Sequence, residues 1–291
     1  MEIANPIYDV VFKYMMDDNK VAKLFLSAIL GEEIETLEFK PQERSLLLNQ
    51  HSITVFRLDF SAKIKIGPED YKQVIVEIQK AKFPTDIMRF RKYLGEQYIK
   101  NDNTFIKKEK KIALPIVSIY FLGHNLENTE APVIKVNRQY IDVIEGKEIK
   151  EREEFIESLT HDSYIIQIPQ LKKKRRTELE ILLSVFDQNN IDDDIHILNV
   201  KEEDFPEKYR IVIRRLLKAR VEKEIRQTMD LEDEILEELE NKERYIAKLI
   251  EENVKLIEAK DKALEAKDKA LEEKDKALED LKRQLDALKN K

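Results

Sequence analysis

Residues 53–66 and 71–80 alternate apolar and polar side chains on either side of Gly67-Pro68-Glu69-Asp70. No other stretch restricts the fold of this chain as strongly. In the first run Phe56, Leu58, Phe60, Ala62 and Ile64 mark one face, and Arg57, Asp59, Ser61 and Lys63 mark the other. In the second, Val74, Val76 and Ile78 alternate with Glu77 and Gln79. A period of two means strands buried on one face, and glycine followed by proline reverses the chain between them. The two runs therefore predict an antiparallel hairpin. Folding it about Pro68 sets Phe60 opposite Val76, Leu58 opposite Ile78 and Ala62 opposite Val74, so that the apolar faces agree.

On the other face this register sets Asp59 opposite Glu77 and Arg57 opposite Gln79. Directly opposed residues have Cβ atoms about 4.5–5.5 Å apart, and like charges there are destabilising. Two facing carboxylates need a proton, a basic neighbour or a cation. A hard divalent ion such as Mg²⁺ takes oxygen ligands of this kind and retains water. It can activate that water and neutralise charge on a phosphate. Glu77 and Gln79 are two apart and leave the strand on one side. The competing reading is a solvated sheet face whose charges are offset by Arg57 and Lys63.

An Asp on one strand followed by Glu-x-Lys on the next is the signature of the PD-(D/E)XK nucleases, and Asp59 with Glu77-Ile78-Gln79 resembles it. Glutamine stands where most members carry lysine. The chain is similar to the branch known as PD-(D/E)XK nuclease family transposases, or Rpn-like recombination-promoting nucleases, whose members commonly read Glu-x-Gln. Three further stretches carry the resemblance: Asp9-Val10-Val11-Phe12-Lys13, Arg89-Phe90-Arg91-Lys92-Tyr93, and LTHDSYIIQIPQL at 159–171. It spans residues 1–220. It implies a restriction-endonuclease-like α/β fold, a mixed sheet flanked by helices, and hydrolysis of DNA phosphodiesters with Mg²⁺ or Mn²⁺ held by Asp59 and Glu77. Gln79 would take the place of the catalytic lysine. An amide exchanges hydrogen bonds but brings no charge, which leaves three readings open: Lys13, Lys80 or Lys63 supplies the missing charge, Gln79 orients water, or the site is weakly active. The resemblance also places an acidic or basic helix residue near the metal. Asp9 and Lys13, four apart on one helix face, fit that role or form a simple surface ion pair.

Residues 85–100 predict a helix, with Ile87, Phe90, Leu94 and Tyr98 at helical spacing. Arg89, Arg91 and Tyr93 on it are the candidate nucleic-acid contacts, since Arg and Lys beside DNA pair with backbone phosphates. A solvated helix face explains them as well. Further basic clusters occur at 107–111, at 172–176 and at 210–220. Other predicted elements are a helix at 19–31 ended by Gly31, strands at 35–40 and 44–49, and a buried central strand at 113–121. Strands at 131–136 and 163–168 follow, then helices at 177–186 and 204–226.

Composition excludes more than it selects. There is no cysteine, which removes disulfides, thiolate metal sites and Cys–His catalysis. The four histidines are scattered without ligand spacing, against a zinc site. No Gly-rich phosphate loop, signal-peptide pattern or membrane-length apolar run appears. The expectation is a cytoplasmic protein with no membrane association.

From residue 221 to 291 the texture changes. EAKDKAL at 258–264 recurs at 265–271 and, as EEKDKAL, at 272–278. Ile250, Ile257, Leu264, Leu271, Leu278 and Leu285 stand every seven residues, as in a coiled coil. The companion row is Asn253, Lys260, Lys267 and Lys274 before Leu281 and Leu288 restore it. A homodimer through these heptads and a single helix held by its own Glu–Lys pairs are both open. Two functions compete at this stage: a DNA endonuclease acting in recombination, mobile-element activity or defence, and a catalytically weak or inactive nuclease-fold scaffold that recruits partners through the tail.

Overall fold

The computed structural model describes residues 1–40, 48–49, 52–53, 60–68, 70–80, 86–101, 103–107, 109–171 and 177–289. Its strands and helices run β1 (Glu2–Ala4), α1 (Asp9–Met16), α2 (Asn19–Leu30), β2 (Thr36–Phe39), β3 (Leu48–Asn49), β4 (Ser52–Ile53), β5 (Phe60–Gly67) and β6 (Asp70–Gln79). Then come α3 (Asp86–Ile99), β7 (Thr104–Lys107), β8 (Lys110–Ala113), β9 (Ile116–Leu122), β10 (Val133–Val136), β11 (Tyr140–Asp142) and β12 (Lys147–Ile149). The chain closes with α4 (Glu154–Leu159), β13 (His161–Gln167), α5 (Glu178–Leu183), β14 (Ile197–Asn199), α6 (Arg210–Val221) and α7 (Lys223–Lys289).

The predicted hairpin forms in the predicted register. β5 and β6 pair antiparallel with Phe60 facing Val76 and Ala62 facing Val74, and the ladder is irregular between Lys65 and Gly67. The pairings expected for Arg57, Leu58 and Asp59 fall outside the described residues. Around this hairpin a six-stranded mixed sheet is ordered β10-β13-β9-β6-β5-β2. β6, β9 and β13 run parallel and the remaining neighbours antiparallel. The chain is thus α/β, with a mixed sheet, flanking helices and a long C-terminal helix.

Alternation gives the sheet two unequal faces. Val74, Val76 and Ile78 of β6 enter the main core with Val117, Ile119 and Phe121 of β9. Val11, Phe12, Phe25, Leu26, Leu182, Val212 and Ile213, from four helices, cover that side. Four rings lock it: Phe121 lies 5.7 Å from Phe12, 6.0 Å from Phe25 and 4.8 Å from Phe186, centroid to centroid. The opposite face holds a smaller cluster of Ile75, Ile116, Phe90, Tyr93 and Leu94 beneath α3.

Local signals set the ends of two helices. α2 has Asp18 accepting from the Lys20 and Val21 amides, and it stops at Gly31, whose φ of 71° is left-handed. Thr177 and Glu180 form a reciprocal capping box at α5. Three predicted spans are corrected. The apolar run at 113–121 is divided at Pro115, so Ala113 ends β8 and the central strand starts at Ile116. The last helix of the core begins at Arg210 rather than 204, after Pro206. Its continuation is interrupted at Glu222, which is extended. The helix at 178–183 tightens into a 3₁₀ turn at Ser184–Phe186.

Two compact units result, Met1–Glu232 and Asp233–Lys291. The first continues past residue 220 because Ile225 and Met229, at the start of α7, are buried in the main core. In the second, Glu–Lys and Glu–Arg pairs four residues apart recur: Glu238–Lys242, Glu240–Arg244, Glu251–Lys255 and Glu279–Arg283. Ile250, Ile257, Leu264, Leu271 and Leu278 are exposed along it. No helix among the described residues is long and apolar enough to cross a membrane.

Phe121 is fully buried at the centre of the ring cluster. Replacing it with alanine is expected to cost about 3–5 kcal/mol, read as a lowered midpoint in urea unfolding of the full chain. A cost under about 1 kcal/mol would show that this cluster does not hold the core.

Candidate active site

β6 lies between β5 and β9 and is an interior strand of the sheet. Glu77 sits on the α3 side of the sheet and is only 3% exposed. Its register partner on β9 is Tyr120, whose ring lies 3.9 Å, centroid to centroid, from Phe90 of α3. An ionised carboxylate in such a place is costly unless it is neutralised or well bonded. A buried acid on a central strand is therefore a functional candidate on physical grounds.

The face that carries Glu77 is polar beyond the cluster under α3. Gln73 Nε2 donates to Ser61 Oγ on β5, and Ser118 and Ser163 hydroxyls meet at 2.8 Å across β9 and β13. Gln79 follows Glu77 by two residues and so leaves the strand on the same side. The backbone there is fixed from β9: the Gly123 amide donates to Gln79 O at 2.7 Å. A Cβ on Gly123 would stand 2.2 Å from Lys80 O, so only glycine lets the two chains close at this point.

Glu77 and Gln79 leave β6 on one side, and two of the cations that the sequence offered, Lys80 and Lys63, lie elsewhere. Lys80 turns to the other face, its Nζ 3.7 Å from the centroid of the Tyr8 ring. Tyr8 belongs to the main core and immediately precedes Asp9, which pairs with Lys13 at 2.5 Å on α1. Lys63 does share the face of Glu77, but it is opposite Gln73 and lies over Tyr71 at 4.7 Å. Four strand residues separate Gln73 from Glu77, about 13 Å. Asp59 lies outside the described residues. Among the described residues no group of three or more His, Asp or Glu could hold a metal ion. Glu77 and Gln79 supply oxygen donors of the hard kind that suits Mg²⁺ or Mn²⁺.

On α3, Arg91 and Lys92 are exposed, and the side chain of Arg89 is outside the described set. The placement expected for Tyr93 is corrected. It is 5% exposed and faces the sheet with Phe90 and Leu94, so it does not share the outer surface with Arg91. The buried stripe of α3 is Phe90, Tyr93, Leu94 and Gln97, whereas Ile87 and Tyr98 are exposed. A polar Gln97 in that stripe disguised it. Three bases of α6 are engaged within the protein. Arg215 Nε donates to Tyr14 O at 2.9 Å, Arg214 pairs with Glu202 at 3.0 Å, and Arg220 pairs with Glu2. The run at 172–176 lies outside the described residues.

A cavity of about 440 Å³ opens at the opposite end of β6 and β9, lined in part by Lys72, Ile116, Arg138 and Asp162. Several of its charges are paired with one another. Arg138 meets Glu157 at 2.7 Å and Asp162 at 2.9 Å, and Lys72 meets Glu32 at 3.0 Å. The Arg138 guanidinium holds the Asp162 carboxyl below its usual range against the desolvation that would raise it.

Gly123→Ala is expected to displace the end of β6 and to cost about 1–3 kcal/mol as an overpacked contact, measured by denaturant unfolding. An unchanged midpoint would show that Gln79 and Lys80 are not held by this closure. No known family model, curated protein or solved structure matches this chain.

Proposed function

We propose that the Met1–Glu232 unit is a divalent-metal-dependent DNA endonuclease of the PD-(D/E)XK type with a restriction-endonuclease-like sheet. The observation that carries this reading is a buried carboxylate, Glu77, on the central strand of a hairpin whose described register is the one expected for an acid pair. Asp59 and Glu77 are the proposed ligands of Mg²⁺ or Mn²⁺. When bound, such an ion makes water a nucleophile at neutral pH and offsets charge developing on the phosphate. Gln79, on the same side of the strand, orients that water through its amide, which both donates and accepts. Arg91 and Lys92, exposed on α3, meet backbone phosphates and give affinity without base readout.

A second reading draws on a specific placement. Gln79 brings no charge, and Lys80 lies across the sheet over Tyr8. Glutamine in the place of the lysine fits a catalytically weak nuclease fold that serves as a scaffold, with the tail recruiting partners. In either case we propose that the exposed Ile250–Leu278 row joins two copies.

Plasmid nicking separates the readings. With Mg²⁺ or Mn²⁺ the wild type is expected to nick supercoiled DNA, and Asp59→Ala and Glu77→Gln each to lower the rate by on the order of 10²–10³. Equal inactivity of all three proteins with both ions sinks the enzyme. For the tail, sedimentation should show a dimer that Leu264→Lys with Leu271→Lys converts to monomer. A monomeric wild type at tens of micromolar would leave the single-helix account.

A further inference from the structure

Helix α1 starts without a cap of its own, because Tyr8 at its N-cap provides no side-chain hydrogen bond. The first amides of any helix lack partners within it. Here two of them are satisfied from more than two hundred residues away in sequence. Glu232 Oε2 accepts from the Asp9 amide at 3.0 Å, and Glu232 Oε1 accepts from the Val10 amide at 2.9 Å. Glu232 reaches them because the first turns of α7 pack on the core through Ile225 and Met229, with Arg226 tied to Asp194 at 2.6 Å.

This is an uncomfortable place for a negative charge, despite the amides. Asp9 of α1 sets a second carboxyl beside Glu232, and the Lys13 ammonium is already paired with Asp9. The other charged groups nearby are turned elsewhere. Lys80, at the end of β6, lies over Tyr8. Arg215 of α6 serves the Tyr14 carbonyl. Asp230 of α7 faces His196 at 3.7 Å. Burial first, and Asp9 second, raise the Glu232 pKa to about 7, against the opposing pull of the two amides and Lys13. Asp9 Oδ1 is buried with no hydrogen-bond partner among the described residues. A protonated carboxyl has an O–H to offer a neighbouring carboxylate, which an ionised one lacks.

We propose that Glu232 is a proton-operated latch, which fastens the root of the tail helix to the start of α1 when protonated and loosens that attachment when ionised. It stands at the last residue of the first unit, before Asp233 opens the second. The folded pKa is raised above the ordinary 4.5, so the folded state binds the proton more tightly than the open one. The stabilisation is complete below about pH 4.5 and is lost as pH rises through about 7.

Hydrogen exchange of the full-length chain tests it. After correction for intrinsic rates, amides of residues 223–232 in the wild type are expected to lose about tenfold in protection between pH 6 and pH 8. Glu232→Gln does not titrate and keeps one of the two acceptors, so whatever its protection, it should be the same at both pH values. Asp9→Asn, which removes the opposing charge, should also flatten the dependence. Wild-type protection independent of pH would overturn the latch, as would the same tenfold loss in Glu232→Gln. Should the glutamine variant not fold, a ¹³C carboxyl titration of wild-type Glu232 decides. A midpoint near 7 supports the latch, and one below 5 refutes it.

Discussion

The covering of strand β6 on both faces, by unlike material, is the constraint from which the rest of this molecule follows. On one side Val74, Val76 and Ile78 are sealed by four helices and a cluster of phenylalanines. On the other, a small apolar group under α3 leaves Glu77 buried beside Tyr120. Burying an aliphatic side chain contributes about 1.5–3 kcal/mol, whereas burying a carboxylate costs free energy. The apolar face stabilises the strand, and that stability offsets the cost of burying an acid on the other face.

The same strand also separates the basic groups. Because alternation sends Gln79 and Lys80 to opposite sides, the lysine adjacent in sequence to the candidate site ends against Tyr8. Closure of Gly123 on the Gln79 and Lys80 carbonyls holds that arrangement. Among the described residues this side of the strand end carries a carboxylate and an amide, Glu77 and Gln79. Within the proposed function, Gln79, where the nucleases that the sequence resembles carry lysine, is the residue on which the choice between enzyme and scaffold turns.

The tail obeys different energetics. Within Asp233–Lys291 the helix is supported by pairs four residues apart, each contributing only about 0.2–0.5 kcal/mol, and by a row of exposed isoleucines and leucines that gains nothing while alone. Its root, by contrast, is anchored by burial of Ile225 and Met229 and by the bonds of Glu232 to α1. The helix changes character at the residue where the first unit ends.

Periodicity and turn chemistry made much of this readable from sequence. The β5–β6 register, the stop of α2 at Gly31, the central apolar strand and the heptad row all follow from local patterns, because each depends on residues a few positions apart. Alternation likewise put Glu77 and Gln79 on one side. What packs against that side required the tertiary structure. The inward turn of Tyr93 was hidden by a polar Gln97 in the same stripe, and the retreat of Lys80 to Tyr8 depends on a helix far away in sequence. The capping of α1 by Glu232 joins residues more than two hundred apart. Period tells which side chains share a face. Only the folded chain decides what that face meets, since long-range packing sets the burial and the neighbouring charges from which chemistry arises.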